Sequence, residues 1–119
     1  MEQIRNPSKI EKSVIAFLLK RAKVKLPEYL VEELLVSSMR DGNMGSLYLF
    51  PVGTIGKKRT FGSCISEWEF KDDDGIKVLV SLYLDTEGNL FELDVWKTDF
   101  GSLLRYPSIS GDFNLQQPL

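Results

Sequence analysis

Between Ser66 and Lys97 apolar and polar positions alternate in three runs, interrupted at Asp73-Asp74-Gly75 and at Glu87-Gly88. A period of two marks strands that turn one face to a core, and short Asp/Gly breaks mark hairpin turns. The stretch predicts a three-stranded antiparallel meander. In its middle run Val78, Val80, Leu82 and Leu84 share one face, opposed by Lys77, Leu79, Ser81 and Tyr83. A two-residue Glu87-Gly88 turn with Thr86 opposite Asn89 pairs Leu84 with Phe91, Leu82 with Leu93 and Val80 with Val95. A slip of one residue would set Leu82 against Glu92 and Val80 against Asp94, so the apolar face selects this register. The first hairpin requires a three-residue loop, Asp73-Asp74-Gly75. That loop pairs Phe70 with Val78 and Trp68 with Val80, and it puts Gly75 at positive φ.

Upstream the period changes to that of a helix. Ser8 and Glu11 form an S-x-x-E capping box, and Ile10, Val14, Phe17, Leu18 and Ala22 follow at helical spacing, while Lys9, Lys12, Lys20 and Arg21 face water. The helix is expected to end near Lys23. Pro27 suits the first turn of a short second helix reaching about Glu33, and Leu34-Leu35-Val36 begins a strand. Leu47 to Phe50 supplies another. The expected fold is α+β: the N-terminal helix, with a short second helix, packed on an antiparallel sheet of about five strands that closes with the meander. Residues 1–105 form one domain, and from residue 106 to 119 the polar composition predicts an extended tail, anchored if at all by Ile109 and Phe113.

Composition narrows the chemistry. A chain of 119 residues buries roughly two-thirds of the surface its unfolded form exposes, enough for a core without staples. Fifteen Lys+Arg against 17 Asp+Glu give a net charge of −2, which offers no basic footprint for nucleic acid. The absence of histidine excludes Ser-His and Cys-His nucleophile pairs and His-ligated metals. One cysteine, Cys64, permits no internal disulfide; it is expected as a structural thiol, partly or fully buried, in the face series of Ser66 and Trp68. No apolar run approaches the roughly 20 residues of a membrane span, and Val14 to Leu19 makes no clean signal peptide. A cytoplasmic protein without cofactor or metal is expected.

Two loops carry possible chemistry. Asp41, Gly42, Asn43, Met44, Gly45 and Ser46 read as a tight turn; a phosphate cradle is the sharper reading, but a strand follows in place of a helix N-terminus, and no lysine follows. Pro51 to Thr60, with Lys57-Lys58-Arg59, reads as a mobile loop whose cations either meet an acidic partner or keep it solvated.

The meander's second face is where function is expected. Its rows are Glu67-Ser81-Asp94, Ile65-Tyr83-Glu92 and Glu69-Leu79-Trp96, so four carboxylates share a face with Tyr83 and Trp96. That mixture is too acidic for a core and too aromatic for a plain solvated surface. It fits a docking face for a basic protein partner or for a second copy of the chain, with Glu67, Tyr83, Glu92, Asp94 and Trp96 as contact residues. It also fits a face covered by the chain's own C-terminal segment, or a hydrolase-type site built on paired carboxylates, although an open strand surface tunes such pairs poorly. No catalytic residue is assigned.

Three motifs together carry a resemblance. The helix pattern of Glu11, Ile15, Leu18 and Leu19, the D-G-x-M-G-S segment at Asp41 to Ser46, and F-E-L-D-V-W-K-T-D-F at Phe91 to Phe100 resemble a family of small uncharacterised bacterial proteins catalogued as a domain of unknown function. The resemblance spans roughly residues 5 to 105. It implies a single α+β domain and no activity. The E-L-D-x-W-K strand is also similar, more faintly, to immunity proteins of bacterial toxin systems, which would dock a basic partner.

Overall fold

The computed structural model describes residues 3–24, 32–40 and 42–106. The helix α1 runs Lys9–Ala22, and the strands are β1 (Leu35–Ser38), β2 (Leu47–Phe50), β3 (Phe61–Lys71), β4 (Lys77–Asp85) and β5 (Leu90–Lys97). Among the described residues these strands form one antiparallel sheet in the order β1-β2-β5-β4-β3. The fold is α+β, with one helix on one face of the sheet. The expected second helix, Pro27 to Glu33, falls largely outside the described residues, as do Asp41 and the tail beyond Tyr106.

The capping box forms as the sequence specifies: Glu11 N donates to Ser8 Oγ at 3.1 Å, and Ser8 N donates to the Glu11 carboxylate at 2.8 Å. Glu11 also binds Arg5 at both oxygens, 2.8 and 2.9 Å, and the Arg5 backbone bridges Val36 of β1. One acidic residue thus ties the helix N-terminus to the sheet margin. The buried stripe of α1 is Val14, Ile15, Leu18 and Leu19, and Ile10, expected in it, is 46% exposed. At 100° per residue Ile10 lies about 110° from the centre of that stripe, which accounts for its exposure. Phe17 stands edge-on to Trp68 with ring centroids 4.9 Å apart, fixing α1 over β3 and β4.

The core registers are those expected. Phe70 opposes Val78, Trp68 opposes Val80, Val80 opposes Val95, and Leu82 opposes Leu93. Burial of one apolar face is what penalises any slip. Two details differ. The β4–β5 loop has three residues, not two: Gly88 N donates to Asp85 O at 3.1 Å and Asp85 N to Asn89 O at 2.8 Å. Leu84 therefore meets Leu90 instead of Phe91, and Phe91 bulges before the register resumes at Tyr83–Glu92. Both hairpins follow one plan. Each opens on a buried aspartate, Asp72 or Asp85, and closes on a glycine at positive φ, Gly75 at 81° or Gly88 at 85°. The leading carboxylate accepts amide bonds from its own loop, and a cation meets each, Lys97 for Asp72 and Arg59 for Asp85, both at 2.9 Å.

A second bulge lies in β3 between Cys64 and Ser66. Ile65 is the extra residue, so Cys64, not Ile65, stands opposite Tyr83, and it leaves the face of Ser66 and Trp68. The expected buried thiol is exposed for this reason.

The sequence places Arg59 with Lys57 and Lys58 as a loop cation. Its guanidinium instead reaches Asp85 and the carbonyls of Leu49 and Leu90, pinning the end of the β2–β3 connection to the sheet.

Candidate functional site

The second face of the sheet is built by strand parity. Every second residue of β3, β4 and β5 points away from α1, and the observed partners give the rows Glu67-Ser81-Asp94 and Glu69-Leu79-Trp96 as expected. The third row becomes Cys64-Tyr83-Glu92 and extends through Tyr48 of β2 to Ser37 of β1. Tyr48 was not foreseen as a member. The alternation of Leu47 and Leu49 with Tyr48 predicts its face, but nothing local says that β2 pairs with β5.

Among the candidate contact residues, Glu67 and Trp96 are exposed, and Tyr83, Glu92 and Asp94 are half-buried. The structure brings all five onto one surface. Two aromatic groups bound it. At one end Phe61 packs on Tyr83 at 4.9 Å and on Phe91 at 6.5 Å, with the Arg59 guanidinium 5.0 Å from the Phe91 ring centroid. At the other end Trp96, 38% exposed, meets Phe100 at 5.9 Å. Phe100 is 71% exposed and holds φ 62°, a left-handed conformation that bulky side chains rarely take. The turn imposes it: Phe100 N donates to Lys97 O at 2.8 Å, and Gly101 N to Asp99 Oδ1 at 2.8 Å.

Electrostatically the face is anionic. Burial, and then the neighbouring Asp94 charge, pushes the Glu92 carboxyl above the usual carboxylate range. The Tyr83 phenol is raised chiefly by burial. The Cys64 thiol, although exposed at the surface, is also pushed up, first by the desolvation its neighbours impose and then by the Glu67 and Asp94 charges, which holds it in the unreactive form. A groove of about 410 Å³ opens beside the Ile65 bulge, lined by Arg21, Cys64, Ile65, Ser66 and Glu67. It contains a single carboxylate. Glu92 and Asp94 lie outside it, on the sheet face, so this groove does not gather the acid pairs that glycosidic or other acid–base chemistry requires.

The other candidate motif, Gly42, Met44, Gly45 and Ser46 in the loop after β1, has a different use. Its carbonyls face the chain after β5: Gly42 O accepts from Ser102 Oγ at 3.1 Å, Asn43 O from Leu103 N at 3.0 Å, and Gly45 O from the Tyr106 hydroxyl at 2.9 Å. A Cβ on Gly45 would stand 2.7 Å from the Tyr106 ring, so glycine allows the aromatic to close over the loop. Ser46 continues the β2–β5 ladder with its side chain, accepting from Val95 N at 2.8 Å and donating to Val95 O at 3.2 Å. An anion cradle needs converging amide donors, whereas this loop presents acceptors. It clasps the C-terminal segment. The β3–β4 turn grips the same segment: Asp72 accepts from the Leu104 and Arg105 amides at 2.7 and 3.1 Å, Asp73 binds Arg105 at 2.9 Å, and Lys97, held by Asp72 and Asp74, donates to Ser102 O at 3.1 Å.

The family model of a domain of unknown function, DUF6984, matches residues 4–107. The chain belongs to that family. The match spans α1, the whole sheet and the clasped segment through Tyr106, so the DUF6984 unit includes both candidate motifs. Neither a comparison with curated proteins nor one with solved structures gave a match. Among the described residues no helix is long and apolar enough to cross a membrane.

Proposed function

We propose that this DUF6984 chain is a protein-binding module that docks a basic protein surface with an apolar centre onto the open sheet face. The observation that carries the reading is the exposed Trp96–Phe100 pair, its Phe100 held in a left-handed turn, on the sheet face that also carries Glu69, Asp94 and Glu92. Aromatic side chains anchor interface centres because they bury large area for few rotatable bonds. Carboxylates around them steer and orient a positive partner. A half-buried Glu92 whose ionised form is disfavoured in the free protein is relieved when a partner's ammonium or guanidinium arrives. The carboxylates sit on an open sheet, which favours docking over catalysis.

A synthetic peptide of alternating lysine and leucine tests the face by amide chemical-shift mapping. Expected are shifts clustered on Tyr83, Glu92, Asp94 and Trp96. Trp96→Ala weakens the interaction at every ionic strength, and paired charge reversal at Glu92 and Asp94 weakens it chiefly at low salt, because exposed attraction is screened over roughly 10 Å at 0.1 M. Shifts confined to the α1 side, or identical binding by wild type and both variants, would overturn the reading.

A further inference from the structure

The β2–β3 connection carries the complement of that face. Thr54 N donates to Pro51 O at 3.1 Å and Lys57 N to Thr54 O at 3.2 Å, making two consecutive turns whose third positions are Gly53 and Gly56, at φ 86° and 81°. These are type II turns in tandem. Thr54, buried between them, donates its hydroxyl to Pro51 O at 2.7 Å, and Arg59 anchors the far end to Asp85. The corner positions present Val52 and Ile55, which are 60% and 52% exposed. Lys57 and Lys58 follow, also exposed. The loop is a built projection: two aliphatic side chains and two ammonium groups on a hydrogen-bonded base. Their exposure shows that no described surface of the same molecule covers them.

We infer that the occupant of the acidic, aromatic sheet face is this loop of a second copy of the chain. Lys57 and Lys58 are opposite in charge to Glu67, Glu92 and Asp94, and Val52 and Ile55 match Trp96, Phe100 and Tyr83 in apolar character. This rests on the docking reading above and names its partner. Because the two halves lie on different parts of one molecule, the contact is heterologous: copies add head to tail, giving rings where the rotation closes and open chains where it does not. Preformed turns reduce the ordering cost of such a contact, which suits a small interface.

Sedimentation velocity over a range of protein concentrations reads this directly. The wild type is expected to sediment faster as concentration rises. A loop variant, Lys57→Glu with Lys58→Glu, and a face variant, Glu92→Lys with Asp94→Lys, are each expected to remain monomeric, and their mixture to associate. In the mixture the unchanged basic loop of one variant meets the unchanged acidic face of the other. Val52→Ser with Ile55→Ser, both at exposed corners that the fold does not use, should weaken self-association about tenfold or more at any salt concentration. A wild type that stays monomeric throughout, or variants that associate as it does, would overturn the inference. If the lysine–leucine peptide still maps to the sheet face in that case, the docking face stands and only the identity of its occupant is wrong.

Discussion

Asp72→Ala should be among the most damaging single changes in this protein. The Asp72 side chain is fully buried, and four donors converge on it: Lys97 Nζ at 2.9 Å, Leu104 N at 2.7 Å, Asp73 N at 2.8 Å and Arg105 N at 3.1 Å. Burial alone would raise the carboxyl pKa. The Leu104 amide, Lys97 and the Asp73 and Arg105 amides outweigh it and bring the value down to about 2. Truncation leaves the Leu104 and Arg105 amides without their acceptor and removes one of the two carboxylates on Lys97. Breaking a buried charged network by deleting one member costs on the order of 3–5 kcal/mol, and we expect the lower half because Asp74 still reaches Lys97 at 2.7 Å. Asp72→Asn should recover little, since one amide oxygen cannot serve four donors. Urea denaturation at neutral pH measures the loss, and trypsin cleavage after Arg105 reports release of the clasped segment. The pH dependence has a definite sign. A depressed folded pKa means the contribution is complete above the ordinary value of 3.8 and fades as pH falls through about 2, so the gap between wild type and variant should narrow across that interval. A loss under about 1 kcal/mol at neutral pH, or an undiminished gap in acid, would refute the reasoning.

Two further outcomes follow from the same structure. Leu82→Ala removes a fully buried side chain opposite Leu93 and should cost about 2–5 kcal/mol in urea denaturation, whereas a surface-like loss would place Leu82 off the core face. Glu92→Gln should stabilise the free protein at neutral pH, because burial and Asp94 disfavour the ionised form; that gain should vanish as pH drops below the ordinary carboxylate value of 4.5, and destabilisation at neutral pH would show that Glu92 has a cationic partner in the fold.

Much of the architecture is legible in the sequence because it rests on local periodicity. The capping box at Ser8 and Glu11, the apolar strand faces and the register of Leu82 against Leu93 need only side-chain period and the penalty for burying Glu92 or Asp94. The candidate face inherits that certainty, since strand parity alone places Glu67, Asp94 and Trp96 on it. The bulges at Ile65 and Phe91 were not legible, because one inserted residue costs little locally and is decided by how the strand ends must twist to meet their neighbours. They decide that Cys64 faces solvent and that Phe91 joins Phe61 in an aromatic cluster.

Period and composition therefore determined a helix on an antiparallel sheet with one acidic, aromatic face. Tertiary structure decided which charges are structural. Lys97 and Arg59 look like surface cations in the chain, yet both are drawn inward by buried aspartates that lead hairpins 25 and 26 residues away. The meander brings both pairs together, whereas the place of β2 beside β5 in the order β1-β2-β5-β4-β3 is encoded by no local pattern. The same order sets Tyr48 beside Glu92 and lets the D-G-x-M-G-S loop meet the chain after β5. Side-chain periodicity is a property of each strand, whereas adjacency is settled only when all the strands compete for the same core.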